Sequence, residues 1–570
     1  MPISARYNRR PGSPGYNTKK RPKMLKQGSS YEAVREAFRW EIPQRYNMGV
    51  DVCDKFAART PTAPALIDLN PNGESRPISF LELKQASNKL ANALIAKGLQ
   101  AGDRVGILLP QCPETAIAHI ACYKAGLIAV PLFTLFGQEA LSYRLAASGA
   151  RALVTNMENL AKLEAIRDDL GELACVLTID GRTSDTEDMH FLSDMASDQF
   201  TPVDSLADDP ALLIFTSGTT GPPKGALHAH RTLLGHFTGV QFMHDFFPQP
   251  GDKFWTPADW AWAGGLLDVL LPSLAFGIPV LIFRSRKFDP EETFQLLADH
   301  EVRNAFLPPT ALKLMRQVER PHDRWNYAMR SIFTGGEAMG AELMDWGRET
   351  FGFTLNEGYG QTECNLVVGN CATIMPARAG SMGKPVPGHD VAIIDADGNP
   401  MPPGEEGAIA VRAPNPVMFL EYWRDPEATE AKFNGEWLLT GDVGTVDEDG
   451  YLWFVGRDDD VITSAGYRIG PGEIEDCLMG HPAVLLAAAI GKPDPVRTEI
   501  VKAYIIPAEG IEADDDLKAD IQEHVRTRLA AYEYPREIEF IDELPMTTTG
   551  KIMRRELRRR ETKKGKDPNQ

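Results

Sequence analysis

The sequence predicts an α/β protein with two unequal parts: a large N-terminal domain of mostly parallel sheets with helices, carrying a small β-barrel-like subdomain, and a small α+β domain at the C-terminus. Three observations predict it. From about residue 50 helical stretches alternate with short apolar runs, which is the rhythm of βαβ units. Across residues 383–456 the runs shorten and turn signals crowd together. Beyond Arg457 the trio Asp458-Asp459-Asp460 is too charged to bury, and the stretch after it has strand and helix signals of its own.

The first thirty residues contain Arg6, Arg9, Arg10, Lys19, Lys20, Arg21, Lys23 and Lys26 and no acid, while Pro2, Pro11, Pro14 and Pro22 break any amphipathic helix. Residues 1–45 therefore read as a solvated basic arm rather than an organelle transit peptide. The large domain is expected over 46–457. Within it residues 81–99 and 115–125 read as helices, and 105–109, 128–132 and 211–215 as strands. Asp397-Gly398-Asn399-Pro400, Pro402-Pro403-Gly404-Glu405 and Asp449-Gly450 punctuate short alternating runs, suggesting a smaller antiparallel barrel or sheet. The small domain is expected over 458–560 and a basic tail over 561–570.

A chain of 570 residues exceeds what one core serves, and 43% hydrophobic residues give ample material to bury. The net charge of -19 argues against nucleic acid as the main partner. No stretch approaches the roughly 20 apolar residues needed to cross a bilayer. Seven scattered cysteines without a Cys-x-x-Cys pair suggest neither a disulfide framework nor a zinc site, so a reducing compartment is expected: the cytoplasm, with the mitochondrial matrix as the alternative. Either a monomer or a homo-oligomer is compatible with these features.

The most informative segment is Thr216-Ser217-Gly218-Thr219-Thr220-Gly221-Pro222-Pro223-Lys224-Gly225, directly after an apolar run of strand length. Hydroxyl side chains and bare backbone N–H groups there can converge on one anion, and Lys224 adds a positive charge. A Walker loop is excluded by spacing, because Pro223 stands five places after Gly218 where that motif needs glycine. Ser217 lacks the Gly-x-Ser-x-Gly elbow of a covalent nucleophile.

Further blocks follow in order: Gly335-Gly336-Glu337, Glu357-Gly358-Tyr359-Gly360-Gln361-Thr362-Glu363, Gly380-Ser381-Met382-Gly383-Lys384, Thr440-Gly441-Asp442, Gly456-Arg457, Gly466-Tyr467-Arg468 and Thr549-Gly550-Lys551. As an ordered set over roughly residues 50–560 they resemble the adenylate-forming superfamily, above all its medium-chain acyl-CoA synthetases. The resemblance implies a C-terminal lid that rotates between one pose for making acyl-adenylate from a carboxylic acid and ATP, and another for passing the acyl group to CoA. An adenylation enzyme that loads a carrier protein, and an inactive nucleotide-binding scaffold, are the alternatives.

The resemblance also implies roles. Thr216, Ser217, Gly218, Thr219, Thr220, Gly221 and Lys224 would hold the triphosphate, with Thr216 and Glu363 at Mg2+. Gly336, Glu337, Glu357, Gly358, Tyr359, Gly360, Gln361 and Thr362 would line the nucleotide, Tyr359 offering its flat face to adenine, and Asp442 with Arg457 would take the ribose hydroxyls. Lys551 would be the adenylation lysine, in catalysis with Glu363 and Thr216. Asp459 would be the hinge, Ala465, Gly466, Tyr467 and Arg468 the passage for CoA, and Arg497 and Arg526 contacts for its phosphates.

For the acyl group the implied pocket is Trp260, Trp262, Gly264, Gly335 and Gly360. Glycine at 360, where acetyl-specific relatives look to carry tryptophan, is expected to leave volume open for an acid larger than acetate: short or medium-chain, branched or aromatic. A Gly360→Trp change would then turn preference back toward acetate. His228, His230, His236 and His244 have no carboxylate-rich pattern around them and are expected to be structural or pocket residues.

Overall fold

The computed structural model describes residues 25–69, 74–216, 222–284, 287–337, 339–457, 460–464, 467–494, 497–529, 533–547 and 551–564. An eight-stranded sheet runs, edge to edge, through Glu421–Tyr422, Lys224–Ala229, Pro210–Thr216, Ile128–Pro131, Arg104–Ile107, Ala150–Thr155, Cys175–Thr178 and Glu187–Asp188. Its pairings from Pro210–Thr216 onward are parallel, and the first two strands are antiparallel additions. Val105, Leu153, Leu212 and Leu213 are fully buried, as strands covered on both faces must be.

Local signals set the helices around these strands. Ser79 and Glu82 form a reciprocal capping box at the start of Phe80–Ala96: the Ser79 Oγ accepts from the Glu82 N–H at 3.2 Å and the Glu82 carboxylate accepts from the Ser79 N–H at 2.8 Å. Pro113 opens Pro113–Lys124, where its missing N–H costs nothing. Both helices lie within a few residues of their expected bounds.

The second sheet has fourteen strands. Asn356–Gln361, Ser331–Gly335, Asn304–Phe306, Phe254–Trp255, Val280–Ile282 and Pro64–Leu69 form its parallel centre. Beyond Asn356–Gln361 the pairing turns antiparallel through Cys364–Gly369, Ser381–Pro385, Leu452–Arg457, Trp437–Val446, Gly407–Arg412 and Val391–Ile394. The turn-rich section is thus antiparallel as expected, but it is not a separate barrel. Cys364–Gly369 hydrogen-bonds directly onto the parallel centre, so the section extends the same sheet and ends open at Val391–Ile394.

The arm expected over 1–45 also differs from the structure in its second half. Residues 1–24 lie outside the described residues. From Leu25 onward the chain packs onto the large domain: Leu25, Tyr31, Val34 and Phe38 are buried in its core, the Tyr31 hydroxyl donates to the Pro385 carbonyl at 2.7 Å, and the Trp40 indole N–H donates to the Gly388 carbonyl at 2.5 Å. The apolar spacing of these four residues was outweighed in the sequence by the basic residues that precede them.

The C-terminal part is built on a five-stranded sheet in which Ile462–Ser464 joins Tyr467–Ile469 to Thr498–Pro507, flanked by Val484–Asp494 and Glu537–Phe540. The helices Pro471–Met479 and Asp515–Arg528 cover it through Ile474, Leu478, Ile521 and Val525. A last helix, Arg554–Lys564, anchored by Leu557 against Tyr504, runs past the expected boundary at 560.

Candidate active site

Strand Pro210–Thr216 leads into the hydroxyl-rich loop, and strand Lys224–Ala229 leads out of it, with Thr216 paired to Lys224. The loop therefore links two antiparallel neighbouring strands, whereas a P-loop leads from a strand into a helix. Its residues Ser217, Gly218, Thr219, Thr220 and Gly221 lie outside the described residues, as do Asp459, Ala465 and Gly466.

Lys224 stands over the ring of Tyr422, 5.4 Å from its centroid. The Tyr422 hydroxyl donates to the Glu363 carboxylate, and the Glu363 carbonyl accepts from the Phe419 N–H at 2.9 Å, so this buried glutamate is fixed at both ends. Burial and the Glu363 charge push the Tyr422 phenol well above its ordinary range, keeping it a donor. Tyr422 was not foreseen in the sequence: it lies 59 residues from Glu363, on a two-residue edge strand with no motif around it.

Across the cleft the Tyr359 hydroxyl donates to Asp442, and Arg457 lies 3.7 Å from the other oxygen of that carboxylate. Register explains the second contact, because Asp442 and Arg457 face each other on adjacent antiparallel strands. Burial raises the pKa of Asp442, while Arg457 and Tyr359 hold it down. Gln361 and Lys432 both donate to the Thr440 carbonyl, at 2.9 and 3.0 Å, and fix the strand that presents Asp442.

Two glycines let the backbone converge. A Cβ on Gly335 would meet the Gly358 carbonyl at 2.6 Å. Gly336, at φ +96°, holds a conformation that glycine alone adopts freely, and a Cβ there would lie 3.6 Å from the Trp262 ring and 3.7 Å from the Lys551 Cε. The C-terminal part thus delivers Lys551 into the cleft beside Gly336 and Trp262. Desolvation and Arg457 lower its pKa while Glu337, Asp442 and Glu363 pull it up, and because much of the Lys551 side chain is still exposed its charge stays in contact with water. Asp476 also comes to 3.7 Å of the Gly340 Cβ position, and Lys313 reaches the Met479 sulfur at 3.4 Å.

Other expected site residues stand elsewhere. Glu357 is buried under the cleft, where its Oε1 accepts from the Met339 N–H at 3.3 Å and burial pushes it up to about 8. Arg497 sits at the turn joining Val484–Asp494 to Thr498–Pro507, its N–H donating to Asp494 at 2.8 Å, and Arg526 pairs with Glu523 on an exposed helix face. Tyr467 and Arg468 lie in a short strand paired with Ile462–Ser464. Of the two tryptophans, Trp260 is wholly buried in the core, and Trp262 is the one that reaches the cleft. The four histidines are buried and kept neutral by desolvation, His228 and His230 near 3 and His236 near 4. His230 accepts from the Met48 N–H at 3.2 Å and His244 bonds Ser331 at 2.8 Å.

The space expected at Gly360 is filled. A Cβ there would stand 2.4 Å from the Leu366 N and 2.8 Å from the Asn365 Cα, both backbone atoms. The cause is a bulge between Tyr359 and Gln361, opposite Leu366 at φ +53°, which folds the next strand back over the glycine. Gly360→Trp is therefore expected to destabilise the protein by about 3 kcal/mol, at the upper end of overpacking penalties, and not to create an acetate enzyme. A lowered melting temperature without any gain in acetate turnover is the result to look for.

Comparison with known proteins agrees with this geometry. The family model described as AMP-binding enzyme matches residues 53–423, and the AMP-binding enzyme C-terminal domain matches 473–551. The chain is 36% identical over 546 residues to acyl-coenzyme A synthetase ACSM3, mitochondrial, of Mus musculus, and 35% identical over 547 residues to ACSM4, mitochondrial, of Homo sapiens, covering 94% of this chain and 93% of the relative in both cases. Among solved structures it resembles the anthranilate CoA ligase AuaEII in complex with anthranoyl-AMP, at TM-score 0.84 and 29% identity over 92% of this chain and 99% of that one. A Brucella canis acyl-CoA synthetase aligns at TM-score 0.73 and 32% identity over 94% and 100%. The chain belongs to the AMP-binding enzyme family and, within it, to the acyl-CoA synthetases, AMP-forming acid–thiol ligases.

Proposed function

We propose that this ligase activates a carboxylic acid larger than acetate, medium-chain, branched or aromatic, as its acyl-adenylate, and that the residues gathered in the cleft divide the work as follows. Lys551 supports both the acid's carboxylate and the α-phosphate, which repel each other until a cation lies between them. Thr216, Lys224 and the loop between them hold the triphosphate. Asp442 receives the ribose hydroxyls, and Tyr359 both braces Asp442 and faces the base. The observation that carries this reading is the placement of Lys551, from the C-terminal part, beside Gly336 and Trp262 in the large domain. That arrangement suits the adenylating pose of a mobile lid, with Asp459 as its hinge and 458–560 with the end of the last helix as the lid.

The oxygen donors at Glu363 and Thr216 suit Mg2+, a hard cation that takes carboxylate and hydroxyl ligands, and the Tyr422 hydrogen bond leaves the second Glu363 oxygen for it. A bound Mg2+ would neutralise phosphate charge. Tyr422→Phe should raise the Mg2+ concentration needed for half-maximal diphosphate release severalfold, and Glu363→Gln should lower the maximal rate at least tenfold at any Mg2+. A Tyr422→Phe enzyme with an unchanged Mg2+ requirement would separate the phenol from the metal.

After adenylation, CoA would enter past Ala465, Gly466, Tyr467 and Arg468, with Arg497 and Arg526 as candidate phosphate contacts. For the acid, the indole of Trp262 gives a flat apolar wall near Lys551. Ring acids suit it, and the solved neighbours include ligases for anthranilate and benzoate. All seven cysteines are free, which fits a reducing compartment, cytoplasm or mitochondrial matrix. The test is diphosphate release across a panel of carboxylic acids, with and without CoA. Release with some of these acids, followed by acyl-CoA only when CoA is present, is expected; silence with every acid would overturn the proposal.

A further inference from the structure

Behind the acyl position three elements meet: the helix Thr232–Met243, the π-helical turn Leu266–Leu270 and the strand Cys364–Gly369. Each contributes one buried or half-buried polar side chain, namely His236, Asp268 and Asn365. The Asn365 amide donates to Asp268 Oδ1 at 2.7 Å. Asp268 follows Gly264 by one helical turn and so continues the face that begins under the Trp262 ring, 3.2 Å from the Gly264 Cβ position. Asn365 Oδ1 lies 2.7 Å from the Gly360 Cβ position. The polar cluster therefore lies between the Trp262 ring on one side and the filled Gly360 position on the other.

His236 is only half satisfied. Its Nδ1 lies 2.7 Å from the Thr232 carbonyl, which can only accept, so that nitrogen carries the proton and Nε2 is a bare acceptor. Nε2 is buried, has no hydrogen-bond partner among the described residues, and lies 4.0 Å from Asp268 Oδ1, too far for a hydrogen bond. An amino group, with two N–H donors, placed about 2.8 Å from each would bridge them, and a hydroxyl there would donate to one of the two. Burial holds His236 near 4 and pushes Asp268 well above the carboxylate range, so a neutral donor suits the pair better than an ammonium.

We propose that the acid used by this chain carries a hydrogen-bond donor, hydroxyl or amino, remote from its carboxyl, and that Asp268 and His236 accept it and thereby set specificity. The inference rests on the reading of Lys551 and Trp262 as the place of the substrate's carboxyl and acyl group. An acid with a plain hydrocarbon end would leave His236 Nε2 buried and unpaired and Asp268 with only its Asn365 contact, the situation in which binding sites discriminate strongly.

Matched pairs decide it: benzoate against 3- and 4-hydroxybenzoate and the corresponding aminobenzoates, and hexanoate against 6-hydroxyhexanoate, with kcat/KM read from diphosphate release. The wild-type enzyme should favour the donor-bearing member of at least one pair by tenfold or more. Asp268→Leu and His236→Phe should each abolish that preference while changing the plain acid less than threefold. A wild type that favours the plain member of every pair, or neither member, overturns the proposal, and that comparison stands even if a variant fails to fold. Equal loss of both members in the variants would also overturn it, making the cluster a brace for the strand Cys364–Gly369. If no acid at all releases diphosphate, plain ones included, it is the ligase reading that has failed, and the inference falls with it.

Discussion

Replacing Lys551 by alanine is expected to lower diphosphate release from acid and MgATP by roughly a hundredfold or more, the scale on which one aimed electrostatic contact acts in a reaction of this kind. Thioester formation from acyl-adenylate supplied directly should stay within about threefold of wild type. The reason lies in where charge accumulates. Before adenylation a carboxylate must approach a polyanion, and in the proposed reading Lys551, the C-terminal residue beside Gly336 and Trp262, would lie between them. The loop that carries it closes on itself: the Thr547 N–H donates to the Lys551 carbonyl at 2.7 Å, and the Thr547 Oγ accepts from the Lys551 N–H at 3.0 Å. Met546 and Ile552 bridge below. An alanine keeps all of these backbone contacts, so the variant should fold normally and lose only the ammonium. Single-turnover measurement of each half-reaction is the check, and an equal loss in both would remove Lys551 from the adenylation step.

Much of this was legible in the chain because the informative residues are close in sequence. The run of apolar residues at 211–215 and the glycine-hydroxyl loop after it give both a strand and what it presents. The motif at 357–363 gives Tyr359 and Glu363 together, and the helix expected from residue 81 begins at Phe80. What stayed hidden depends on long-range pairing. Tyr422 meets Glu363 only because the edge strand Glu421–Tyr422 pairs with Lys224–Ala229. The antiparallel section reads as a separate small barrel or sheet from its turns alone, since no local signal says that Cys364–Gly369 continues the large sheet. Gly360 reads as open space by resemblance to relatives with tryptophan there, yet a bulge places backbone at that position. Leu25, Tyr31, Val34 and Phe38 were masked by the charge of the preceding segment.

Long-range pairing also predicts a large effect on stability. Arg554, three residues after Lys551, forks onto Glu475 of the helix Pro471–Met479: its Nε donates to Oε1 at 3.0 Å and its Nη2 to Oε2, while Oε1 also accepts from the Ala489 N–H at 2.8 Å. Asp460, where the chain enters the C-terminal part, pairs with Arg558 and lies 3.6 Å from Arg554. Glu475 is buried, and desolvation raises its pKa even though Arg554 pulls it down. Arg554→Ala would leave that carboxylate in place without its cation, at a cost of about 3 kcal/mol. The pH dependence follows from the direction of the shift. Between the ordinary glutamate value of 4.5 and its raised folded value, the folded chain binds a proton that the unfolded chain has lost, so stability falls as pH rises through that window. Without Arg554 the folded value rises further and the window widens, so the deficit of the variant against wild type should be larger at pH 8 than at pH 5. Adding Glu475→Gln should recover most of the lost stability, because the buried charge goes with the carboxylate. Denaturant melts of the four proteins of this cycle at both pH values test it, and a deficit independent of pH and unrelieved by Glu475→Gln would mean that Arg554 acts through packing alone.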